Sequence, residues 1–365
     1  MHKFTLGIEE EFQILDSDAL TLHSQMSKII DGGKVVLKER IKEEMHQSMV
    51  EMGTNICENI NQARDEVSYL RQQIIELAAK EDLKVAASGT HPFSHWSEQL
   101  ITPNPRYDQL IDEMKDVARS NLIFGMHVHV GIPNREEGLN IMNTARYFLP
   151  HLYALSTNSP FWESRETGFK SFRSKIFDKF PRTGIPPYFA SVAEYDKFVE
   201  LLVKTQCIDN GKKIWWDIRL HPFYPTVEFR VCDMVMTVDE VICIAALMQC
   251  IIAKLSKLHR MNQSFRSYRR ILINENKWRA ARWGMDAKLI DFGKEEEVPF
   301  ATLINELLEF IDDVVDDLGC RTEVNYVYQM LEQGSGADRQ LKVFEETKDL
   351  KKVVDYVVKQ TSKGL

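Results

Sequence analysis

Glu9 and Glu11 lie two residues apart in Thr5-Leu6-Gly7-Ile8-Glu9-Glu10-Glu11-Phe12, with Phe4, Leu6, Ile8, Phe12 and Ile14 alternating around them. Side chains of a β-strand alternate between its two faces. Glu9 and Glu11 therefore project together, and Glu10 points the other way with the apolar set. Neighbouring carboxylates on one face repel each other unless a cation lies between them, and a divalent cation does this most economically. Alone, Glu-x-Glu is more often a solvated strand face than a ligand pair, so the remaining strands decide.

The same face reading applies elsewhere. In Gly125-Met126-His127-Val128-His129-Val130-Gly131 the two histidines share a face opposite Met126, Val128 and Val130. In Thr226–Val231, Glu228 and Arg230 oppose Val227, Phe229 and Val231; in Trp216–His221, Asp217, Arg219 and His221 oppose Trp216, Ile218 and Leu220. Gln47 and Glu51 fall on one face of a further stretch. A merely solvated sheet would show Lys, Thr and Ser at such positions. If these strands share a sheet, one face gathers Glu9, Glu11, Glu51, His129 and Glu228 with Arg219 and Arg230. Carboxylates plus one imidazole, without thiolates, suit Mg²⁺ or Mn²⁺. Arginine adds a fork that matches phosphate and carboxylate. Acidic ligands, hard cations and arginines on one floor are the ingredients of phosphoryl transfer. His127 reads first as a structural histidine and Arg219 also as a partner of Asp217. Glu44, seven residues before Glu51, falls on the opposite face of an unbulged strand.

The positioning elements follow from periodicity. The first strand is succeeded by a strand around Glu44–Met52, a helix over Ile60–Lys80, a short strand at Leu83–Gly89, a helix over Tyr107–Asn121 and a strand at Phe124–Ile132. A long amphipathic helix over Arg135–Asn158 ends at Ser159-Pro160, and Phe161–Pro187 is a long ordered loop of the functional kind. After a helix at Ala193–Gln206 come strands at Lys213–Leu220 and Val227–Val231. Thr237 and Glu240 then form a capping box, and residues 237–365 are nearly all helix. Strands in the chemical part and helices in the last third predict an α+β fold, a mostly antiparallel sheet covered on one face. The chain reads as a single catalytic domain over residues 1–365, with the helical third packed on the sheet.

Composition narrows the function. The 365 residues carry a formal net charge of -8, which argues against general nucleic-acid binding. No apolar run of spanning length is expected, so no membrane partner, and the glutamate strand begins too early to leave room for a signal peptide. The six cysteines form no CxxC pair, and Cys243 and Cys250 lie on an apolar helix as core thiols. Together these predict a reducing, cytoplasmic setting. Gly32-Gly33-Lys34 lacks the rest of a Walker A loop.

The strings GIEEEF, EMHQSMVEMGTNIC, SGTHPF, GMHVHVGI, LSTNSPFW, WWDIRLHP, TVEFRVCD, ENKWRAARWG and GADRQ occur in this order between Gly7 and Gln340. Together they resemble the carboxylate-amine ligase family, the type 2 glutamate–cysteine ligases. The resemblance implies a fold like the glutamine synthetase catalytic domain, a curved antiparallel sheet whose concave face is the active site. It implies an ATP-dependent amide ligase that acts through an acyl phosphate, with small carboxylate and amine substrates, Mg²⁺ or Mn²⁺, and a homodimer. Its metal ligands would be Glu9, Glu11, Glu51, His129 and Glu228, with Glu44 a further candidate. Arg230 and Arg219 would be catalytic, and Arg219, Arg173 and Gln47 would contact substrate. ATP would meet Arg230, Arg279 and Arg282. Two rival readings use the same acidic floor: a metal-dependent phosphoesterase, and a non-catalytic small-molecule-binding protein.

Overall fold

The computed structural model describes residues 3–365. Seven strands form the central sheet: β1 (Leu6–Asp16), β2 (Ile41–Glu43), β3 (Met49–Gly53), β4 (Leu83–Ala86), β5 (Gly125–Gly131), β6 (Ile218–Leu220) and β7 (Thr226–Asp233). Their order is β6-β7-β5-β1-β3-β2, all antiparallel, and β4 pairs with the second half of β1. The architecture is α+β, an antiparallel sheet backed by helices, as the distribution of strand and helix patterns along the chain predicts.

The alternation in β1 is real. Leu6, Ile8, Glu10 and Phe12 are buried, whereas Gly7, Glu9 and Glu11 are only partly covered. Glu10, on the apolar side, meets its cation there: Arg71 of the Ile60–Lys80 helix donates Nε and Nη2 to Glu10 Oε1 at 3.0 and 2.6 Å. The same guanidinium donates to the carbonyls of Met236 and Val235 at 2.6 and 3.2 Å. A buried pair saturated in this way avoids an uncompensated charge in the core.

The Val238–Arg260 helix starts at the Thr237/Glu240 capping box and is buried along most of its length. This element corrects the expectation of no spanning-length apolar run. Its mean hydropathy of 1.9 is that of a membrane segment, yet 83% of that window is buried inside the protein. It is the core helix, with its apolar side chains in the same cluster as those of β1, β5 and β7 and the helices Phe300–Leu318 and Arg321–Gln333. Cys243 and Cys250 are buried in it.

Three other expectations are corrected. The strand expected around Glu44–Met52 is two strands, β2 and β3, joined by a turn. The turn backbone bonds away from the sheet: Gln47 N–H donates to Leu100 O and Thr102 N–H to Met45 O, both at 2.9 Å. Glu44 and Gln47 therefore escape the strand parity assumed for them. The Arg135–Asn158 helix is two α-helices, Arg135–Ala145 and Leu149–Ser156, separated by a 3₁₀ turn. Pro150 sits in the first turn of the second helix, where its missing N–H costs nothing. Within 161–187 a short helix, Arg173–Phe177, interrupts the loop.

Candidate active site

The strand register lays the chemical residues out in rows. Arg219, Glu228, His129 and Gly7 are successive cross-strand partners from β6 to β1. His127, Glu9 and Gly53 form the next row, and Glu11, Glu51 and Lys42 another. These rows floor a cleft of about 420 Å³ whose wall includes Glu44, Arg173, Arg219 and Arg230. A roomier cavity of about 610 Å³ lies elsewhere, between the ends of the Val238–Arg260 and Phe300–Leu318 helices, but among the described residues no group of metal-ligand side chains converges on it.

One carboxylate oxygen from Glu9, one from Glu228 and one His129 ring nitrogen lie within 4.8 Å of one another, the one such group among the described residues. Burial pushes the Glu9 carboxyl up, but hydrogen bonds from His127 and His129 outweigh it and hold Glu9 well below the usual carboxylate range. Burial acts on Glu228 in the same sense, and the Arg230 and Arg219 guanidiniums overcome it. His127 is pushed down to about 4 by burial and by Arg230, so it is a neutral imidazole. Two ionised carboxylates and a ring nitrogen with no competing thiolate fit Mg²⁺ or Mn²⁺.

The arginines divide their work. Arg219 donates Nε and Nη2 to both oxygens of Glu228 at 2.7 and 3.2 Å, and Nη1 to the carbonyls of Lys212 and Ile214 at 3.0 and 2.6 Å. With most of its donors committed, Arg219 orients Glu228. Arg230 gives Nη1 to Glu228 at 2.5 Å, while its buried Nε has no partner. A register irregularity in β7 follows Phe229, and the Arg230 N–H donates to Asp217 O at 2.8 Å. Such bulges re-aim side chains beside active sites.

Arg173 arrives from the loop. Its side chain packs so closely on β5 that a Cβ on Gly125 would collide with the guanidinium. It is 4% exposed and its Nε lacks a partner. Buried donors are nearly always satisfied, and here two guanidinium Nε–H groups on residues of one cleft, Arg230 and Arg173, are without a partner. Asp233 fixes the loop, accepting from Asn158 N–H at 2.8 Å, Ser159 Oγ at 2.7 Å and Ser171 Oγ at 2.8 Å. Ser159 Oγ accepts the Arg173 N–H at 3.1 Å.

Three residues expected at the site lie elsewhere. Gln47 is not part of the cleft wall; its amide donates to Ile101 O at 3.1 Å. Arg279 is engaged by Glu297 at 2.6 Å and by the Lys288 carbonyl at 3.0 Å. Arg282 lies over Phe169 and Trp283, and neither arginine walls the cleft. From the basic segment, buried Lys277 pairs with Asp217, its Nζ 2.9 Å from Oδ2, and it too lies outside the cleft wall. Lys42 in the cleft wall and Asp233, which bonds Ser159 and Ser171, are positions that strand alternation did not single out.

The second acidic group is held differently. Burial raises Glu11 to about 7, with Arg173 opposing the shift and Glu51 adding to it. Burial, with Glu11, raises Glu44 to about 7; burial, with Glu9 and Glu44, raises Glu51 to about 8. Each folded value exceeds the ordinary 4.5, so the folded state binds more protons than the unfolded one across about pH 5–8, and stability from these groups falls as pH rises. The metal-free protein should therefore lose melting temperature between about pH 5.5 and 8.5, and Mg²⁺ should restore more of it at the upper end. Thermal scans with and without Mg²⁺ check this. A Mg²⁺ effect larger at the acid end would contradict the assignment.

The model of the family described as glutamate–cysteine ligase family 2 matches residues 5–356. Relatives provisionally named glutamate–cysteine ligase 2 include one from Solibacter usitatus, 57% identical over 99% of this chain and 94% of that protein. Another, from Chloroflexus aurantiacus, is 56% identical over 99% of this chain and 93% of its own. Among solved structures, the glutamate–cysteine ligase of Francisella tularensis in complex with AMP superposes with a TM-score of 0.71 at 12% identity, covering 99% of this chain and 90% of that one. The bifunctional glutathione synthetase of Pasteurella multocida gives 0.71 at 15% identity over 98% of this chain and 52% of that one. At such identities the likeness is one of fold.

Proposed function

Because the chain belongs to glutamate–cysteine ligase family 2, we propose that it is an ATP-dependent ligase that joins the γ-carboxylate of L-glutamate to the amine of L-cysteine. The observation that carries this reading is the meeting, in one cleft, of the Glu9–His129–Glu228 group with the unsatisfied N–H groups of Arg230 and Arg173. That combination suits a phosphate chain and a second anion together. The nucleotide named with the Francisella enzyme supports an adenine nucleotide as the phosphate donor.

A carboxylate does not react with an amine unaided, because its oxygen leaves poorly. Transfer of the γ-phosphoryl group to the carboxylate gives an acyl phosphate; the amine attacks the acyl carbon, and phosphate departs. Arg230, with spare donors and a place beside Glu228, meets the charge that develops on the phosphoryl oxygens. Arg173 binds the substrate's anionic group, held in place by the Asp233 hydrogen bonds. Arg219 keeps both Glu228 oxygens oriented. A divalent cation on Glu9, His129 and Glu228 would supply neutralisation of phosphate charge. Neither the phosphoesterase nor the non-catalytic reading gains support from the relatives.

The test is ADP release across a panel of carboxylates crossed with amines. The expected outcome is turnover that needs a divalent cation, a carboxylate and an amine together, highest with glutamate and cysteine. Phosphate release from an ester without ATP or amine would favour the phosphoesterase. If no pair stimulates ADP formation above the protein alone, the ligase reading fails.

A further inference from the structure

The edge strand β2 sends one side chain onto the floor. Lys42 stands opposite Glu51 in the β2–β3 register. Its Nζ lies 2.6 Å from Glu51 Oε1 and 3.2 Å from Glu9 Oε1. Gly53, the cross-strand partner of Glu9, lies beside the ammonium: a Cβ there would meet it at an ordinary contact distance of 3.9 Å. The Lys42 side chain is 48% exposed, on a three-residue strand at the rim of the sheet.

The charges around it are uneven. Glu9, Glu11, Glu44 and Glu51 converge on this side of the cleft. Arg219 is bidentate on Glu228 and Arg230 gives it Nη1, while Lys42 is the ammonium that bridges Glu9 and Glu51. Glu9 also belongs to the group with metal-ligand spacing. Its Oε1 faces the ammonium and its Oε2 faces His127 and His129, so an ammonium and a divalent ion there draw on one carboxylate charge. A divalent ion at similar distance interacts about twice as strongly with each carboxylate. Lysine, a point charge on a flexible stem, can yield its place; a bidentate arginine would be locked there.

We infer that Lys42 is a resident counter-ion that competes with a divalent cation for Glu9 and Glu51 and swings toward solvent when the metal loads. The inference rests on the ligase reading only in placing a metal on this floor. Lys42 is thus a positioning residue: it keeps the floor neutral and compact without metal, and it sets the metal concentration at which the floor changes hands.

Mn²⁺ is the probe, followed by the electron paramagnetic resonance signal of the free ion, without nucleotide. Lys42→Met, which keeps the stem and removes the charge, should bind Mn²⁺ about tenfold more tightly than wild type, and Lys42→Arg should bind it no more tightly than wild type. A second measurement uses the unaltered protein. Reductive methylation of lysines, read peptide by peptide, should label Lys42 faster at saturating Mn²⁺ while Lys3, far from the floor, is unchanged. Equal Mn²⁺ affinity in wild type and Lys42→Met overturns the inference, as does Lys42 labelling that metal leaves unchanged or slows. Should Lys42→Met fail to fold, the labelling decides. Absence of Mn²⁺ binding to wild type overturns the metal floor and this inference together. Tighter binding by Lys42→Met alongside a blank ADP screen overturns only the reaction assignment.

Discussion

Glu9→Gln should leave the protein folded and cut ADP formation roughly a thousandfold, about 4 kcal/mol of transition-state stabilisation. The exchange keeps the size of the side chain and its reach to His127 Nδ1, 3.2 Å away. It removes the charge that His129, His127 and Lys42 all face. Of the Glu9–His129–Glu228 group, one anionic donor and the imidazole remain. Mn²⁺ affinity should fall in parallel, by at least about tenfold. Glu9 is preferred to Glu228 for this test because Glu228→Gln would also strand Arg219 and Arg230, mixing a packing defect with the chemistry. ADP formation within a few-fold of wild type at saturating Mg²⁺ would remove Glu9 from the machinery.

The largest effect on stability belongs to the other face of the same strand. Arg71→Met should cost about 3–5 kcal/mol, because Glu10 would keep a buried charge with no cation beside it. Arg71 is 0% and Glu10 2% exposed, so solvent cannot replace the lost partner. The double variant Glu10→Leu/Arg71→Met should recover much of the loss, since two apolar groups need no compensation. The recovery should be incomplete, because Arg71 also satisfies the carbonyls of Val235 and Met236 ahead of the core helix. Urea denaturation of the three proteins measures this. A double variant as unstable as Arg71→Met would show that the carbonyl contacts, rather than the ion pair, carry the stability.

Much of the floor was legible in the sequence because strand alternation is a local rule. Glu9, Glu11, His127, His129 and Glu228 sit on regular strand stretches whose apolar partners mark the opposite face, and Arg230 keeps their face at the bulge that follows Phe229. Parity also put Glu10 on the opposite face, where Arg71 meets it. It failed at residues 44–47, where the backbone bonds to residues 100–102, more than fifty positions away, and no local pattern announces that. Lys42 was invisible for another reason: a three-residue edge strand is too short to show alternation, and lysine ordinarily signals solvent. Arg279 and Arg282 were carried by the resemblance of ENKWRAARWG alone. The helix places Lys277, not those arginines, toward the strands, paired with Asp217 behind Arg230. The apolar length of the core helix was passed over, although a segment buried along most of its length carries the composition of one that spans lipid.

Asp233 ends the strand that carries Glu228 and Arg230, and it also grips the segment that presents Arg173. The spacing between Arg230 and Arg173 is thus set by a single ruler, one strand long, instead of by the docking of separate bodies. A reaction that passes a phosphoryl group between two bound oxygens needs that span held constant whichever acid and amine are joined. On the proposed ligase reading, choice between substrates falls to cleft residues the ruler does not hold, such as Arg106 and the Lys212–Lys213 pair. Relatives sharing this fold could exchange those residues, and with them the molecules they couple, without resetting the distance over which the chemistry runs.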